Sequence, residues 1–364
     1  MSAIVLATNE VISSLTNMIL GTQVYSENIA SSGSALVDMA KADVGLYGDR
    51  KRYISTDALE STAWTKDSEA SNLLALNRPA APKEEVVIID VMRMIFVTID
   101  DYMTKRAFTE DGGFAAFNSV VLSWLTDTKR VYEATTYNAF IGTKVIAAQE
   151  KTVTIPTQVY HYYDGTDADN TDADKEAGAR LEAQTIAEAV AAVIDDLEDV
   201  RRDYNENGFL RSYDKSDLVI VWNKKFLRKL KKIDLPTIFN NDIFEDWFKY
   251  SLPERFFGTV NSSSKSADGS ATRSLVEQKI STHHYFPGDL ITSGETAPAG
   301  TSYQESNKVI CKIMHKNSVP YLTSFTANTE FFNPRSLTKN NYLIFGHNTL
   351  KTMGSFPFVS IKTS

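Results

Sequence analysis

Val86-Val87-Ile88-Ile89-Asp90-Val91-Met92-Arg93-Met94-Ile95-Phe96-Val97-Thr98-Ile99-Asp100 is dense in β-branched and aromatic side chains. Such residues pack well on a pleated surface, so this stretch reads as one long strand. Upstream of it, residues 46–85 carry alternating charge and no apolar stripe. They run Gly48-Asp49-Arg50-Lys51-Arg52-Tyr53, then Thr65-Lys66-Asp67-Ser68-Glu69, then Pro79-Ala80-Ala81-Pro82. About forty such residues are too many for an ordinary loop inside a compact domain. With the strand they read as an extended hairpin from about Tyr47 to Val97. Downstream of Asp111 the period changes. Phe114, Phe117, Val121, Trp124, Leu125, Thr128, Val131, Tyr132 and Thr135 recur at helical spacing, which predicts a long amphipathic helix from about Gly113 to Phe140 with Trp124 mid-stripe in the buried face. Gly112 and Gly113 before it and Gly142 after it act as stops.

Beyond the helix the pattern mixes elements. Val153 and Ile155 precede an acidic turn, and a second helix follows with Leu181, Ile186, Val190, Val193, Ile194, Leu197 and Val200 assigned to one face. Asp217-Leu218-Val219-Ile220-Val221-Trp222-Asn223 reads as a buried strand and Lys224–Lys232 as a short basic helix. Asn261–Thr272 is Ser-rich and reads as an exposed loop. The last sixty residues hold strand-like pieces at Val309–Met314, Tyr321–Phe325, Tyr342–Phe345 and Phe356–Ile361. From Ser306 onward the chain has seven Lys or Arg against one acid, Glu330. Residues 1–45 are spotted with apolar positions (Ile4, Val5, Val11, Ile12, Leu15, Ile19, Leu20), too apolar for a free tail and too broken for a packed domain. They read as an arm that lies on something else. No repeat of 20–50 residues is visible, which disfavours solenoids and propellers.

The 364 residues make about two domains by the usual range of roughly 100–200 residues each. Apolar residues at 43% and charged residues at 23% exclude wholesale disorder and fibrous classes. With 38 Lys and Arg against 46 Asp and Glu, the net charge is −8, so the chain is no general polyanion binder. The single Cys311 excludes an intramolecular disulfide and any multi-cysteine zinc site. Apolar runs fall well short of the ~18–20 residues that cross a bilayer. No cationic stretch precedes the first apolar residues, so the reading expects no secretion signal and no membrane contact.

Catalytic templates fail one by one. In the Asp164–Asp174 cluster, a calcium loop started at Asp167 places Asp172 where glycine is needed and Gly178 where glutamate is needed. The cluster reads instead as a solvated loop whose last acids favour the N-terminus of the next helix. His283 and His284 are adjacent, so on a strand they point to opposite faces, and no carboxylate sits at ligand spacing. Nucleophile-elbow and phosphate-loop motifs are missing, and Cys311 after Val309-Ile310 reads as a small buried hydrophobe. The one dense basic patch is Lys224, Lys225, Arg228, Lys229, Lys231 and Lys232 around an apolar stripe of Phe226, Leu227 and Leu230. Nucleic acid is one reading of it; a solvated amphipathic helix, or a cationic face meeting an acidic neighbour, is the reading favoured by the overall acidity.

The order of segments resembles that of the major capsid proteins of tailed bacteriophages, the Hong Kong 97-type fold. The strand Val86–Asp100, leading to a helix that ends near Tyr137-Asn138-Ala139-Phe140-Ile141-Gly142, is similar to that family's strand and spine helix. Asp217-Leu218-Val219-Ile220-Val221-Trp222-Asn223-Lys224-Lys225-Phe226 resembles its strand, Asn or Ser, then helix element. Phe331-Phe332-Asn333-Pro334-Arg335-Ser336 through Tyr342 to Gly346, then Phe358-Val359-Ser360-Ile361, resembles its closing strands. The resemblance implies an α+β capsid fold with five parts. These are an N-terminal arm (1–45), an extended hairpin loop and peripheral strand (46–100), a spine helix (101–150), an axial domain (151–305) and closing strands (306–364). It implies a non-enzymatic shell protein with no cofactor and no metal, assembled in the host cytoplasm into the head of a virion. The partners would be further copies in hexamers and pentamers, scaffolding, portal and decoration proteins, and weak non-specific contact with packaged DNA. Expected inter-subunit contacts are Arg50, Lys51, Arg52, Lys66, Asp67 and Glu69 on the hairpin and Lys225, Arg228 and Lys229 on the basic helix. The basic helix is expected to meet acids such as Asp195, Asp196, Glu198 and Asp199 of a neighbour. The alternatives are a cellular nanocompartment shell of the same fold and a metal-assisted hydrolase built on His283, His284 and the Asp164–Asp174 loop.

Overall fold

The computed structural model describes residues 35–61, 63, 78–100, 111–143, 150–155, 172–232, 248–260, 271–350 and 352–363. In chain order the elements are α1 (Ala35–Ala40), β1 (Lys41–Gly45), β2 (Arg50–Ser55), β3 (Lys83–Asp100), α2 (Asp111–Thr143), β4 (Glu150–Ile155), α3 (Asp172–Glu198), β5 (Leu218–Asn223), α4 (Lys224–Lys232), β6 (Tyr250–Leu252), β7 (Gly258–Val260), β8 (Thr272–Ser274), β9 (Gln278–Ile280), β10 (His283–Tyr285), β11 (Ser302–Glu305), β12 (Val309–His315), β13 (Tyr321–Ser324), β14 (Ala327–Asn333), β15 (Thr338–Asn348) and β16 (Phe358–Thr363). This is a mixed α+β chain.

The continuous apolar run of β5 has a direct cause: both faces of its sheet are covered. The strand order is β4-β16-β12-β5-β6, with β4 parallel to β16, β5 parallel to β6 and the central pairs antiparallel. On one face Ile220, Trp222, Ile313, Val359 and Ile361 pack against Ile186, Val190, Val193, Ile194 and Leu197 of α3 and Phe226, Leu227 and Leu230 of α4. Cys311 is buried in this layer, and burial pushes its thiol pKa up. On the other face Val219, Val221 and Phe358 meet Tyr137, Ala139 and Ile141 of α2 and Leu36 and Val37 of α1. Leu181 and Val200, assigned by sequence to the buried face of α3, are 49% and 59% exposed. Leu181 lies five positions before Ile186, about 140° away around the helix, and Val200 lies past the helix end.

The second sheet has the order β1-β13-β15-β3-β2, with β14 on the other side of β15. Antiparallel pairing of β15 with β3 runs from Thr338 opposite Asp100 to Asn348 opposite Ile89. The far end of β3 leaves that pairing and takes β2, from Arg50 opposite Ile88 to Ser55 opposite Lys83. One strand thus belongs half to the sheet and half to the hairpin. The β14–β15 hairpin is not legible in the sequence, where only Tyr342–Phe345 stands out as a strand.

Helix α2 joins the two sheets. Tyr132 sits edge-on to Phe345 with ring centroids 5.6 Å apart, and its hydroxyl lies 2.8 Å from Nε2 of buried His347. Nδ1 of His347 is 2.7 Å from the Asn348 carbonyl, which can only accept, so Nδ1 carries the proton and Nε2 accepts from Tyr132. Burial holds the His347 pKa below its usual value. Further along, the fully buried Tyr137 donates its hydroxyl to the Val319 carbonyl at 2.9 Å. Near the end of the helix, Gly142 abuts the Phe256 carbonyl so closely that a Cβ has no room. Trp124 departs from expectation. It is only partly buried, while Leu125 beside it is buried. Tyr137→Ala is therefore expected to cost about 3–5 kcal/mol, and Trp124→Ala clearly less. Urea unfolding of the two soluble variants checks the ranking, and an equal or larger loss at Trp124 contradicts the packing described.

Candidate functional site

Among the described residues no three His, Cys, Asp or Glu side chains gather in a way that could hold a metal. His283 and His284 lie on β10 and turn to separate partners. Nδ1 of His283 is 2.9 Å from Glu295, and Nε2 of His284 is 3.0 Å from Glu277. Hydrogen bonds from Tyr285 and His283 hold the Glu295 carboxyl below the usual carboxylate range. Sequence spacing shows no carboxylate for these histidines because folding, not local spacing, brings the glutamates in. Residues 164–171 of the acidic cluster lie outside the described residues.

The contact candidates fall into two groups. On β2, Arg50, Lys51 and Arg52 are all exposed, and Nε of Arg52 reaches Glu84 across the hairpin at 3.1 Å. Lys66, Asp67 and Glu69 lie outside the described residues. On α4, Asn223 caps the helix, accepting from the Lys225 amide at 3.0 Å while its Nδ2 donates to the Val309 carbonyl at 3.0 Å. This is why a strand ends and a helix starts at that asparagine. Phe226, Leu227 and Leu230 are buried, so the helix turns Lys224 and Arg228 outward. Lys225 pairs with Glu254 of its own chain at 2.9 Å. The side chain of Lys229 lies outside the described residues. Three of the acids expected to meet this helix from a neighbour already have partners within the chain. Asp196 and Asp199 pair with Arg201 at 2.8 and 3.4 Å, and Glu198 pairs with Lys215 at 3.1 Å.

Sequence reasoning missed the group that anchors the hairpin. Asp57, just past β2, accepts from Nη1 of Arg202 at 2.7 Å and from the Leu210 amide at 2.9 Å. Nη2 of Arg211 donates to the Ser55 hydroxyl at 2.9 Å and to the Thr56 carbonyl. The loop offering these groups is itself braced. Asn205 exchanges two hydrogen bonds with the Phe209 backbone at 2.7 and 2.8 Å, and Gly208 takes φ +64°. Tyr213 donates to the Ser355 carbonyl, and the Ser355 hydroxyl reaches Glu85 on β3, both at 3.2 Å. Two guanidiniums and a carboxylate thus clamp the hairpin base to the connection between α3 and β5. The hydrogen bond from Arg202 holds the Asp57 carboxyl down to about 2. The clamp is intact at neutral pH and is lost only as the pH falls through that value. No local signal marks it, since its partners lie 145 to 156 positions away.

What the described surface offers is contact area and charged anchoring, the equipment of a subunit built to meet other subunits. The chain belongs to the family of Phi29-like phage major capsid proteins, whose model matches residues 6–359. Its role is structural, as a phage major capsid protein. Its fold is similar to that in the capsid structure of Staphylococcus phage Andhra, with 11% identity and a TM-score of 0.56, covering 90% of this chain and 83% of that one. It is similar at 12% identity and TM-score 0.56 to a chain in the structure of head fiber and inner core protein gp22 of native bacteriophage P68, covering 88% and 86%. No curated protein matches it in sequence.

Asp57→Ala removes the acceptor of both Arg202 and the Leu210 amide from a half-buried position. Hydrogen exchange at Leu210 is expected to accelerate while the global unfolding midpoint moves little. Unchanged exchange would show that the clamp is not formed in solution.

Proposed function

We propose that the chain builds its shell in the Hong Kong 97-type manner. In this reading α2 is the spine, the β15–β3 sheet is the peripheral part, and the sheet holding β5 with α3 and α4 is the axial part. The β2–β3 hairpin reaches a neighbouring copy, residues 1–34 act as an arm across other subunits while residues 35–45, expected in that arm, pack within their own subunit as α1 and β1, and hexamers and pentamers close around a double-stranded DNA genome. The observation that carries this reading is the eighteen-residue β3, whose outer end pairs, among the described strands, with β2 alone and is aimed by the Asp57 clamp. A strand that leaves its sheet in this way gains burial by lying on another molecule. Scaffolding, portal and decoration proteins are proposed as further partners, and assembly is placed in the host cytoplasm. The net charge of −8 limits contact with packaged DNA to weak, local and non-specific patches. The family match favours a phage head over a nanocompartment shell.

Electron microscopy of the purified protein tests the reading: shells or large capsomers are expected, and a persistent monomer contradicts it. Deletion of residues 59–79, which keeps the Asp57 clamp, should leave a folded and soluble subunit that no longer assembles. Normal particles from the deletion would remove the hairpin from the interface.

The basic helix has its own test. Because Lys225 already pairs with Glu254, the cations left to a neighbour centre on Lys224 and Arg228. Charge reversal at Lys224 and Arg228, which leaves the Lys225–Glu254 pair in place, should block capsomer formation without DNA present. If empty shells form normally and only genome retention falls, α4 faces DNA instead.

A further inference from the structure

The long strand β3 alternates, but its outer face is not polar. Ile88 and Met92 are each 38% exposed, Met94 53% and Phe96 65%. The register places Tyr342 opposite Phe96 and Ile344 opposite Met94, and Phe331, 62% exposed, opposite Asn340. Residues paired across strands share a face, so one apolar strip runs along β3 and continues across β15 to β14. From Ile88 to Phe96 it extends about 27 Å at the usual rise per residue. Phe96 and Tyr342 are neighbours on it, with ring centroids 6.4 Å apart. Gly346 stands opposite Met92 with no Cβ, so the Met92 thioether lies down over the neighbouring strand. The strip is flat at that point. The opposite face of the same strands is the one that carries Tyr132 of α2 against Phe345.

An antiparallel sheet with one solvated face normally alternates apolar inward and polar outward. Here Asp90 and Thr98 on β3, Asn340 on β15 and Thr329 on β14, opposite Tyr342, are the polar residues among the apolar ones of this face. Contiguous exposed apolar surface of this kind marks an interaction site.

We propose that this outer sheet face is covered, in the shell, by a second copy of the chain. The inference rests on the assembly reading above, in which the surroundings of each subunit are copies of itself. Charge supports the same occupant. Arg50 is paired opposite Ile88 and Arg52 opposite Val86, which puts two guanidiniums on the same face at the hairpin end of the strip. Arg52 already reaches Glu84 of its own chain, which leaves Arg50 for a neighbour, and a copy with 46 Asp and Glu against 38 Lys and Arg offers an excess of carboxylates to meet it. The contact is heterologous, since rings close by repeating one head-to-tail contact.

The lone cysteine makes the test direct. Cys311 is fully buried and its thiol pKa is pushed up, so a soluble maleimide finds no native thiol in the folded chain. Met94→Cys and Phe96→Cys each add one addressable thiol at an exposed position. Labelling rates are compared between dispersed subunits and particles assembled from this chain alone. The introduced thiols should react freely in subunits and at least about a hundredfold more slowly in particles. Equal rates in the two states overturn the proposal. So does protection that develops only when other head proteins are added, which would make the occupant a different partner. If the wild-type chain forms no particles, the assembly reading itself fails; if particles form and the thiols stay reactive, only the docking face fails. As a second reading of the same face, Phe96→Glu should abolish particles with an unchanged subunit melting temperature, and Phe96→Leu should restore them. Normal particles from Phe96→Glu would also overturn the proposal.

Discussion

The rest of the molecule depends on the enclosure of the last three turns of α2 between two sheets. From Tyr132 to Thr143 nearly every residue of the helix is buried, polar ones included. Tyr132 belongs to the sheet of β3 and β15, and Tyr137, Ala139 and Ile141 belong to the layer against β5 and β16. A rigid rod fixed at both contacts converts two sheets into one body, so the direction of the hairpin is set relative to the helices α3 and α4. Glu133 adds a charged tie. Its carboxylate is 7% exposed and meets Lys41 of β1 at 3.0 Å and Lys129 at 3.8 Å. A buried carboxylate is tolerable when cations meet it, and removing one partner leaves a charge with no solvent to stabilise it. The pair therefore holds the edge strand β1 in place more by the penalty for breaking than by net attraction.

That same enclosure explains what the sequence can and cannot show. A helix buried on one side displays a stripe, and extending the stripe through Phe114, Val121 and Trp124 down α2 assumes such a helix. The end of α2 is buried all round, so no stripe exists there to extend. Leu125 rather than Trp124 is the buried residue of that turn. Where burial and local chemistry agree, the reading is close. The segment Asp217–Lys232 shows an unbroken apolar strand, an asparagine that can cap, and three apolar residues at helical spacing, and it folds as strand then helix. Where a feature depends on partners far away in sequence, nothing local announces it. The Asp57 clamp is of this kind, with partners 145 to 156 positions away. In β14 the residues from Asn328 to Phe332 are all exposed, leaving no inward and outward alternation to read.

Buried histidine and half-buried carboxylate respond differently to acid, and the fold separates them in space. Burial holds the His347 pKa below its usual value, while the Tyr132 hydroxyl, the Asn348 carbonyl and the stacked Tyr321 ring hold its imidazole in place. A histidine held below its usual pKa contributes stability above that value and loses it as the pH falls through the range. The Asp57 carboxyl is pulled down instead and keeps its charge far into acid. Acid therefore charges His347, and His315 whose pKa burial lowers in the same way, before it neutralises the Asp57 carboxyl.

Net charge sets the remaining constraint. Copies at −8 each repel when gathered, and that repulsion weakens as salt shortens the screening length from about 10 Å at 0.1 M to about 3 Å at 1 M. Apolar burial is not screened in this way and grows with the area removed from water. A shell of acidic subunits must therefore draw its attraction from apolar contact and use its exposed cations for register. The surface divides along that line. The exposed apolar side chains of β3, β14 and β15 form one broad strip, while Arg50 and Arg52 stand at its hairpin end. Arg202 and Arg211, in contrast, spend their charge inside the subunit, where they fix the angle at which the strip and the hairpin are presented.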